Sequence, residues 1–361
     1  MENPCRSDEV EKASWQGCIP VMLSLSPMSL SSPTMPAPVH KLIPRHSYLH
    51  LALEEEVRNF HQHAPILFRP MGQKDGGDGI VTSTIQSDNE DNDSSQNHEG
   101  AIDTPENESL NQNKNAQQSA SDLKENPPYP ICWFEDERTG TPLRWQLFIG
   151  ILHDLLRLRK STSCTESYQH LPWKIRIHFT AYPETLLPLS ISEKHDVLRC
   201  IFQHYLNSLK QSLYLQHNSA RTAKNLNKQS HVHLWNGIMN NKWEGSFREI
   251  SMELDGNGNG NGTQEPFLNN VPIRIMVDGR PTFSRPCNPR SADGEQLTIG
   301  HVLREWLPGL FEKQLHWCVQ GIVVPLECPV AELWRVLCHP DRFLYILVVV
   351  DDLHIDTLCS E

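Results

Sequence analysis

The sequence predicts an α+β protein in which two β-grasp units flank a helix-rich segment. Three observations predict it. The order strand, turn, strand, helix, strand occurs over 131–179 and again over 271–350. A long amphipathic helix lies between the two stretches, and an acidic tract interrupts the first of them. A chain of 361 residues has room for two or three such units.

The elements follow in order. Trp15-Gln16-Gly17-Cys18-Ile19-Pro20 leads into a short apolar strand at Val21 to Leu25, and a second strand is expected around Leu42 to Leu49. From Leu51 to His63, Leu53, Val57 and Phe60 recur at helical spacing, with Glu54, Glu55 and Glu56 expected outward and Pro65 as the stop. Ile131 to Glu135 and Thr141 to Trp145 flank a turn at Arg138-Thr139-Gly140 and read as a hairpin that opens a β-grasp. A helix through Phe148, Leu152 and Leu156 follows. The stretch Pro172 to Phe179 then alternates, placing Trp173, Ile175, Ile177 and Phe179 on one face of a half-buried strand. Trp133, Trp145 and Trp173 sit at strand positions suited to a core.

The C-terminal unit repeats the order. Strands are expected at Ile273 to Val277, Thr282 to Arg285, Cys318 to Val324 and Phe343 to Val350, with helices at Ile299 to Phe311 and Pro329 to Cys338. Between the units, Val197, Leu198, Ile201, Phe202, Tyr205, Leu206, Leu209 and Leu213 fall within an arc of about 180° at 100° per residue. Lys210 falls roughly 40° beyond that arc, beside Gln203, Asn207 and Gln211. Its stem can follow the apolar margin while the amine reaches solvent. A second helix is expected from His233 to Leu254, after a polar surface connection at His217 to Ser230. The chain thus divides into 8–187, an N-terminal helix plus the first unit with a disordered acidic insert at 71–127; a helix-rich 192–254; a flexible Gly-Asn linker at 255–270; and a second unit at 271–351.

Charge and cysteines narrow the function classes. The formal charge is −12, but 71–127 holds twelve Asp or Glu against three Lys, which leaves about −3 for the remainder. The global charge therefore says nothing about partners, and no basic stripe for nucleic acid stands out. No apolar run reaches the roughly 18 to 20 residues of a membrane-spanning helix, and no leader pattern opens the chain, so a cytoplasmic location is expected. Ten cysteines without a C-x-x-C pair read as buried thiols. His231-x-His233 lacks a third ligand placed by sequence, so neither metal nor cofactor is expected.

Several segments resemble the autophagy protein 5 family. They are Trp15-x-Gly17-x-Ile19-Pro20, Pro44-Arg45-x-Ser47-Tyr48-Leu49, Trp133-Phe134-Glu135, Pro142-Leu143-x-Trp145 with Ile149-Gly150, Leu171-Pro172-Trp173, Leu209-Lys210-Gln211, Leu234-Trp235, Val271-Pro272-Ile273-Arg274 and Phe343-Leu344. The resemblance implies two ubiquitin-like folds around a helical domain. It implies further that Lys210 accepts the C-terminal glycine of the ubiquitin-like autophagy protein 12 through an isopeptide bond. The conjugate would bind the coiled-coil autophagy protein 16 across the two ubiquitin-like folds, with Trp15 and Arg45 as expected contacts. It would promote transfer of autophagy protein 8 to phosphatidylethanolamine as a ligase-like scaffold without catalytic residues of its own. Transient contact with the conjugating enzymes, and recruitment from the cytoplasm to the phagophore membrane, belong to the same implication. An ordinary lysine, with a pKa of about 10.4, is neutral about once in two thousand at pH 7, so the conjugating enzyme must desolvate or deprotonate it. Lys224 and Lys228 are competing acceptors. A noncovalent ubiquitin-like adaptor, in which Lys210 merely solvates its helix, is the alternative.

Overall fold

In the first strand, β1 (Cys18–Leu25), every second residue is apolar, and Ile19, Val21, Leu23 and Leu25 are all buried. The computed structural model describes residues 4–65, 129–161, 171–189, 191, 196–254, 268–311 and 315–350; the acidic insert and most of the Gly-Asn linker lie outside them. A helix, α1 (Pro4–Gln16), precedes β1, and β2 (Val39–Pro44) pairs with it antiparallel from Cys18↔Pro44 to Leu23↔Val39. This second strand ends where the sequence pattern placed its beginning, because Arg45 to Tyr48 turn the chain into helix instead.

The helix expected over 51–63 is two short ones, α2 (Leu49–Ala52) and α3 (Glu54–His61), broken at Leu53. Glu56 does not face outward: it is 9% exposed and its carboxylate takes the Lys41 ammonium at 2.8 Å. After the insert come β3 (Trp133–Asp136), β4 (Thr141–Leu143), α4 (Ile149–Ser161) and β5 (Trp173–His178). The sheet order is β2-β1-β5-β3-β4, with β5 parallel to β1 and antiparallel to β3. The β-grasp therefore opens with β1 and β2. The hairpin at 131–145 is its second hairpin, because β5 returns between β1 and β3.

The helical region comprises α5 (Val197–His217), α6 (Arg221–Asn225), α7 (Lys228–Met239) and α8 (Ser246–Leu254). Asp196 caps α5 by accepting the Arg199 N–H at 2.9 Å, and Asn227 caps α7 by accepting the Ser230 N–H at 2.7 Å. Two expectations change here. The connection at 217–230 contains α6 and the start of α7, and the helix expected over 233–254 is divided by a turn with Asn241 (φ 48°) and Gly245 (φ 79°) in left-handed conformations.

The second sheet is built from β6 (Val271–Val277), β7 (Phe283–Cys287), β8 (Leu315–Cys318) and β9 (Leu344–Val350), in the order β7-β6-β9-β8. Its helices are α9 (Ile299–Trp306), α10 (Pro308–Phe311) and α11 (Val330–Leu337). The strand expected at 318–324 lies at 315–318, because Gln320 (φ 52°) and Gly321 (φ 74°) turn the chain between bridged Val319 and Ile322. As in the first sheet, the first and last strands pair in parallel, here Ile273↔Leu344.

Strand β9 explains how the helical region and the second sheet meet. Leu344, Ile346 and Val348 face a core with α9 and α11, whereas Tyr345, Leu347 and Val349 join the core of the first sheet and of α5. A strand covered on both faces reads as a continuous apolar run, and Leu344 to Val350 is one. Helix α4 packs against β8 and β9, and α5 against β6 and β7.

Candidate functional site

Lys210 is exposed on α5, as are Gln203, Asn207 and Gln211 beside it. The opposite side of the helix is held by a buried polar network. Ser208 and Ser212 lie within the apolar arc, at roughly 20° and 60° from Val197, and both are buried. Ser208 Oγ donates to Asp341 Oδ2 at 2.6 Å, and Ser212 Oγ donates to the Asp341 carbonyl oxygen at 2.6 Å. Tyr345 OH donates to the same carboxylate oxygen at 2.8 Å.

Arg274 of β6 closes the network. Its Nη1 donates to Ser208 Oγ and to Tyr345 OH, each at 2.9 Å, and its Nη2 donates to Gln211 Oε1 at 2.7 Å, adjacent to Lys210. The guanidinium also lies 3.7 Å from the Phe343 ring centroid. Burial, with the Asp341 charge nearby, raises the Tyr345 hydroxyl pKa, so it remains a donor. Helix α5 is thus fixed to the second domain by charge-assisted bonds across its buried face.

Helix α7 meets the apolar arc of α5 through Trp235. The Trp235 ring lies 5.2 Å from Phe202 and 5.7 Å from Tyr205. His231 lies one turn before Trp235 on α7. Burial first, and the Lys210 ammonium second, lower the His231 pKa from 6.5. Its Nε2 is shut off from solvent and has no hydrogen-bond partner among the described residues. Tyr214, one turn beyond Lys210, is 52% exposed. Lys224 on α6 and Lys228 at the start of α7 are exposed.

Trp15 and Arg45 point inward. Trp15 is 4% exposed, with its ring 4.6 Å from Phe247 of α8 and 5.2 Å from His46. Arg45 pairs with buried Asp154 of α4, and its side chain is 15% exposed. A Cβ at Gly321 would lie 3.1 Å from Arg45 Nη2, so the guanidinium also meets the turn after β8. Both residues join parts of this chain to one another. A cleft of about 270 Å³ is lined from the first sheet's side by Leu143, Leu147, Leu155 and Leu186 and from the second's by Met276, Asp278 and Arg280. The three tryptophans expected in the core, Trp133, Trp145 and Trp173, are buried.

Comparison with known proteins places these pieces in one family. The family models described as Autophagy protein ATG5 match in three parts: the UblA domain over 14–74 and 108–179, the alpha-helical bundle region over 198–254 and the UblB domain over 270–348. The chain belongs to the autophagy protein 5 family. Autophagy protein 5 of Debaryomyces hansenii is 26% identical over 233 residues, covering 61% of this chain and 75% of that protein. The Drosophila melanogaster protein is 28% identical over 221 residues, covering 61% and 74%. The crystal structure of Kluyveromyces marxianus Atg5 shares the fold, with a TM-score of 0.61 at 16% identity, covering 94% of this chain and 99% of that one. The two β-grasp units are the family's ubiquitin-like domains, and family membership gives the chain a role in autophagy.

Sequence reasoning missed Asp341, although two serines set inside an otherwise apolar arc were a signal for a buried polar partner.

Proposed function

We propose that this chain is the acceptor scaffold of an autophagy conjugation reaction, with Lys210 taking the C-terminal glycine of autophagy protein 12 in an isopeptide bond. The observation that carries the reading is the exposed Lys210 amine on a helix whose other face is clamped through Ser208, Ser212 and Arg274. A nucleophile held on a rigid element meets a visiting thioester with little orientational freedom left to lose. The exposed Tyr214 ring, next to Lys210 on the same helix face, offers the modifier an apolar contact.

The conjugate then binds the coiled-coil autophagy protein 16 across the two ubiquitin-like domains, and the Leu-lined cleft between them suits the apolar stripe of a helix. In this reading Trp15 and Arg45, turned inward against Phe247 and Asp154, support the scaffold from within. The assembled scaffold brings the conjugating enzyme charged with autophagy protein 8 to phosphatidylethanolamine, working by proximity at the phagophore membrane, to which the chain is recruited from the cytoplasm as a peripheral protein. No helix of the described residues is long and apolar enough to cross a membrane.

The test is denaturing electrophoresis of the chain from its own cells, wild type against Lys210→Arg. The expected result is one slower species that survives boiling in reductant and is lost in the variant. Unmodified mobility in wild type would favour a noncovalent adaptor, and a slower species retained in Lys210→Arg would move the acceptor to another lysine such as Lys224 or Lys228.

A further inference from the structure

We infer that the cationic surface of α5, α6 and the start of α7 is an electrostatic docking face for an acidic protein surface, that of the conjugating enzyme which carries the thioester. The inference rests on the acceptor reading above and adds to it the charge that the delivering enzyme must present. The first support is composition. From Val197 to Trp243 the chain contains no Asp or Glu, although the whole chain holds 44 of them against 32 Lys and Arg. Beside Lys210 the exposed positions Gln203, Asn207 and Gln211 carry amides where acids would serve a solvated helix equally well.

The second support is placement. Arg199 and Lys210 lie about 20° apart around α5 and about 16 Å apart along it, so the two charges share one face. Helix α5 ends about 10 Å beyond Lys210, and Arg221 and Lys224 of α6 and Lys228 of α7 follow; all five cations are exposed. Helix dipoles do not account for them. Arg199, Arg221 and Lys228 each stand in the first turn of a helix, where a cation is disfavoured, and none of these first turns holds an acid. Ion pairing does not account for them either. Elsewhere Lys12, Lys41 and Arg58 pair with Glu244, Glu56 and Glu54, whereas among the described residues none of the five has a carboxylate partner. The carboxylate next to α5, Asp196, accepts the Arg199 backbone N–H as the helix cap, and Glu249 and Glu253 of α8 lie outside the stretch.

A surface of one sign repels itself in the free chain and is relieved when an opposite surface arrives. Lys210 fixes which surface that is, because an enzyme that brings a thioester carbonyl to the Lys210 amine has to cover the residues around it. Complementarity then requires carboxylates on the docking face of the enzyme, and their attraction raises the rate of encounter more than the strength of the final contact. The amides between the cations offer donors and acceptors to such a face.

The experiment is single-turnover transfer of autophagy protein 12 from its thioester-charged conjugating enzyme to the full chain, at salt concentrations from about 0.02 M to about 0.5 M. Wild type is compared with two triple variants, Arg221→Gln with Lys224→Gln and Lys228→Gln, and the same three positions changed to Glu. At low salt the second-order rate constant is expected to fall about tenfold in the Glu triple, with the Gln triple between it and wild type. At high salt, where the charges are screened, all three are expected to agree within about twofold. Equal rates at low salt overturn the inference, and so does a loss that salt leaves unchanged, because a damaged fold or a lost uncharged contact would persist there. The same chains are also mixed with vesicles of phosphatidylcholine and phosphatidylserine. Vesicle binding that falls in the variants while their transfer rate stays at the wild-type value would assign the face to anionic lipid and overturn the inference too. Absence of any Lys210 adduct in the wild type would instead defeat the acceptor reading itself.

Discussion

Asp341 anchors the buried face of α5. It is 1% exposed, and its oxygens receive Ser208, Ser212 and Tyr345 while Arg274 stands 3.7 Å away. Breaking a buried charge pair by removing one partner leaves the other uncompensated, at a typical cost of about 3–5 kcal/mol. Asp341→Ala is accordingly expected to lower stability by that order in chemical denaturation. Exchanging both partners, as in Arg274→Met with Asp341→Leu, is expected to cost less than either single change. Equal or additive costs would show that the network is not a unit. The position of Lys210 was legible because its rotation from the arc is a local property. Ser208 and Ser212 hinted at a buried polar partner, but Asp341 lies 133 residues beyond Ser208, and nothing local names it.

At the scale of elements, α7 and α8 meet through a missing side chain. A Cβ at Gly237 would come within 2.7 Å of Phe247 Cδ2 and 3.1 Å of the Lys242 carbonyl oxygen. Gly237→Ala is therefore expected to destabilise by about 1–3 kcal/mol through overpacking, despite the better helix propensity of alanine. A melting temperature equal to or above wild type would contradict this contact. The division of α7 from α8 was hidden from periodicity, because apolar residues recur on both sides of the turn at Asn240 to Gly245 and only the left-handed Asn241 and Gly245 mark it. The first β-grasp was misaligned for a related reason. Hairpins are local and visible, whereas the insertion of β5 between β1 and β3 is a long-range pairing that alternation cannot encode. The element order of the second unit was legible, because each of its strands is bounded by turn residues; β8 moved, since the turn at Gln320-Gly321 lay inside the apolar run taken for a strand, and the helix expected over 299–311 is divided at Leu307 into α9 and α10.

Across the whole molecule, stability depends on imidazoles that the fold keeps neutral. His46 of the first domain and His339 of the second meet edge to face with ring centroids 5.2 Å apart and Gln320 within 3.5 Å of both, and His50 packs against Tyr129 and Phe134. Burial lowers His46 to about 3 and His50 to about 4, and holds His339 well below 6.5. All three folded values lie below the unfolded one, so between them the unfolded chain binds more protons. Their contribution is complete above pH 6.5 and is lost as pH falls through 6.5 toward the folded values, at about 1.4 kcal/mol per pH unit for each histidine. A steep fall in melting temperature between pH 6.5 and 4.5 is expected, and His50→Gln should flatten it. An unchanged slope in that variant would remove His50 from the account. Because His46 and His339 belong to different domains, the same titration should loosen the contact that these two rings and Gln320 make between the domains.

The central claim is that the clamped α5 presents Lys210, and no other amine, to a thioester. Mass spectrometry of the chain isolated under denaturing conditions from its own cells tests it most directly. The account predicts a branched tryptic peptide in which the Lys210 amine carries the C-terminal glycine of autophagy protein 12. Lys210 found unbranched throughout the population, or the branch found on Lys224 or Lys228, would contradict it.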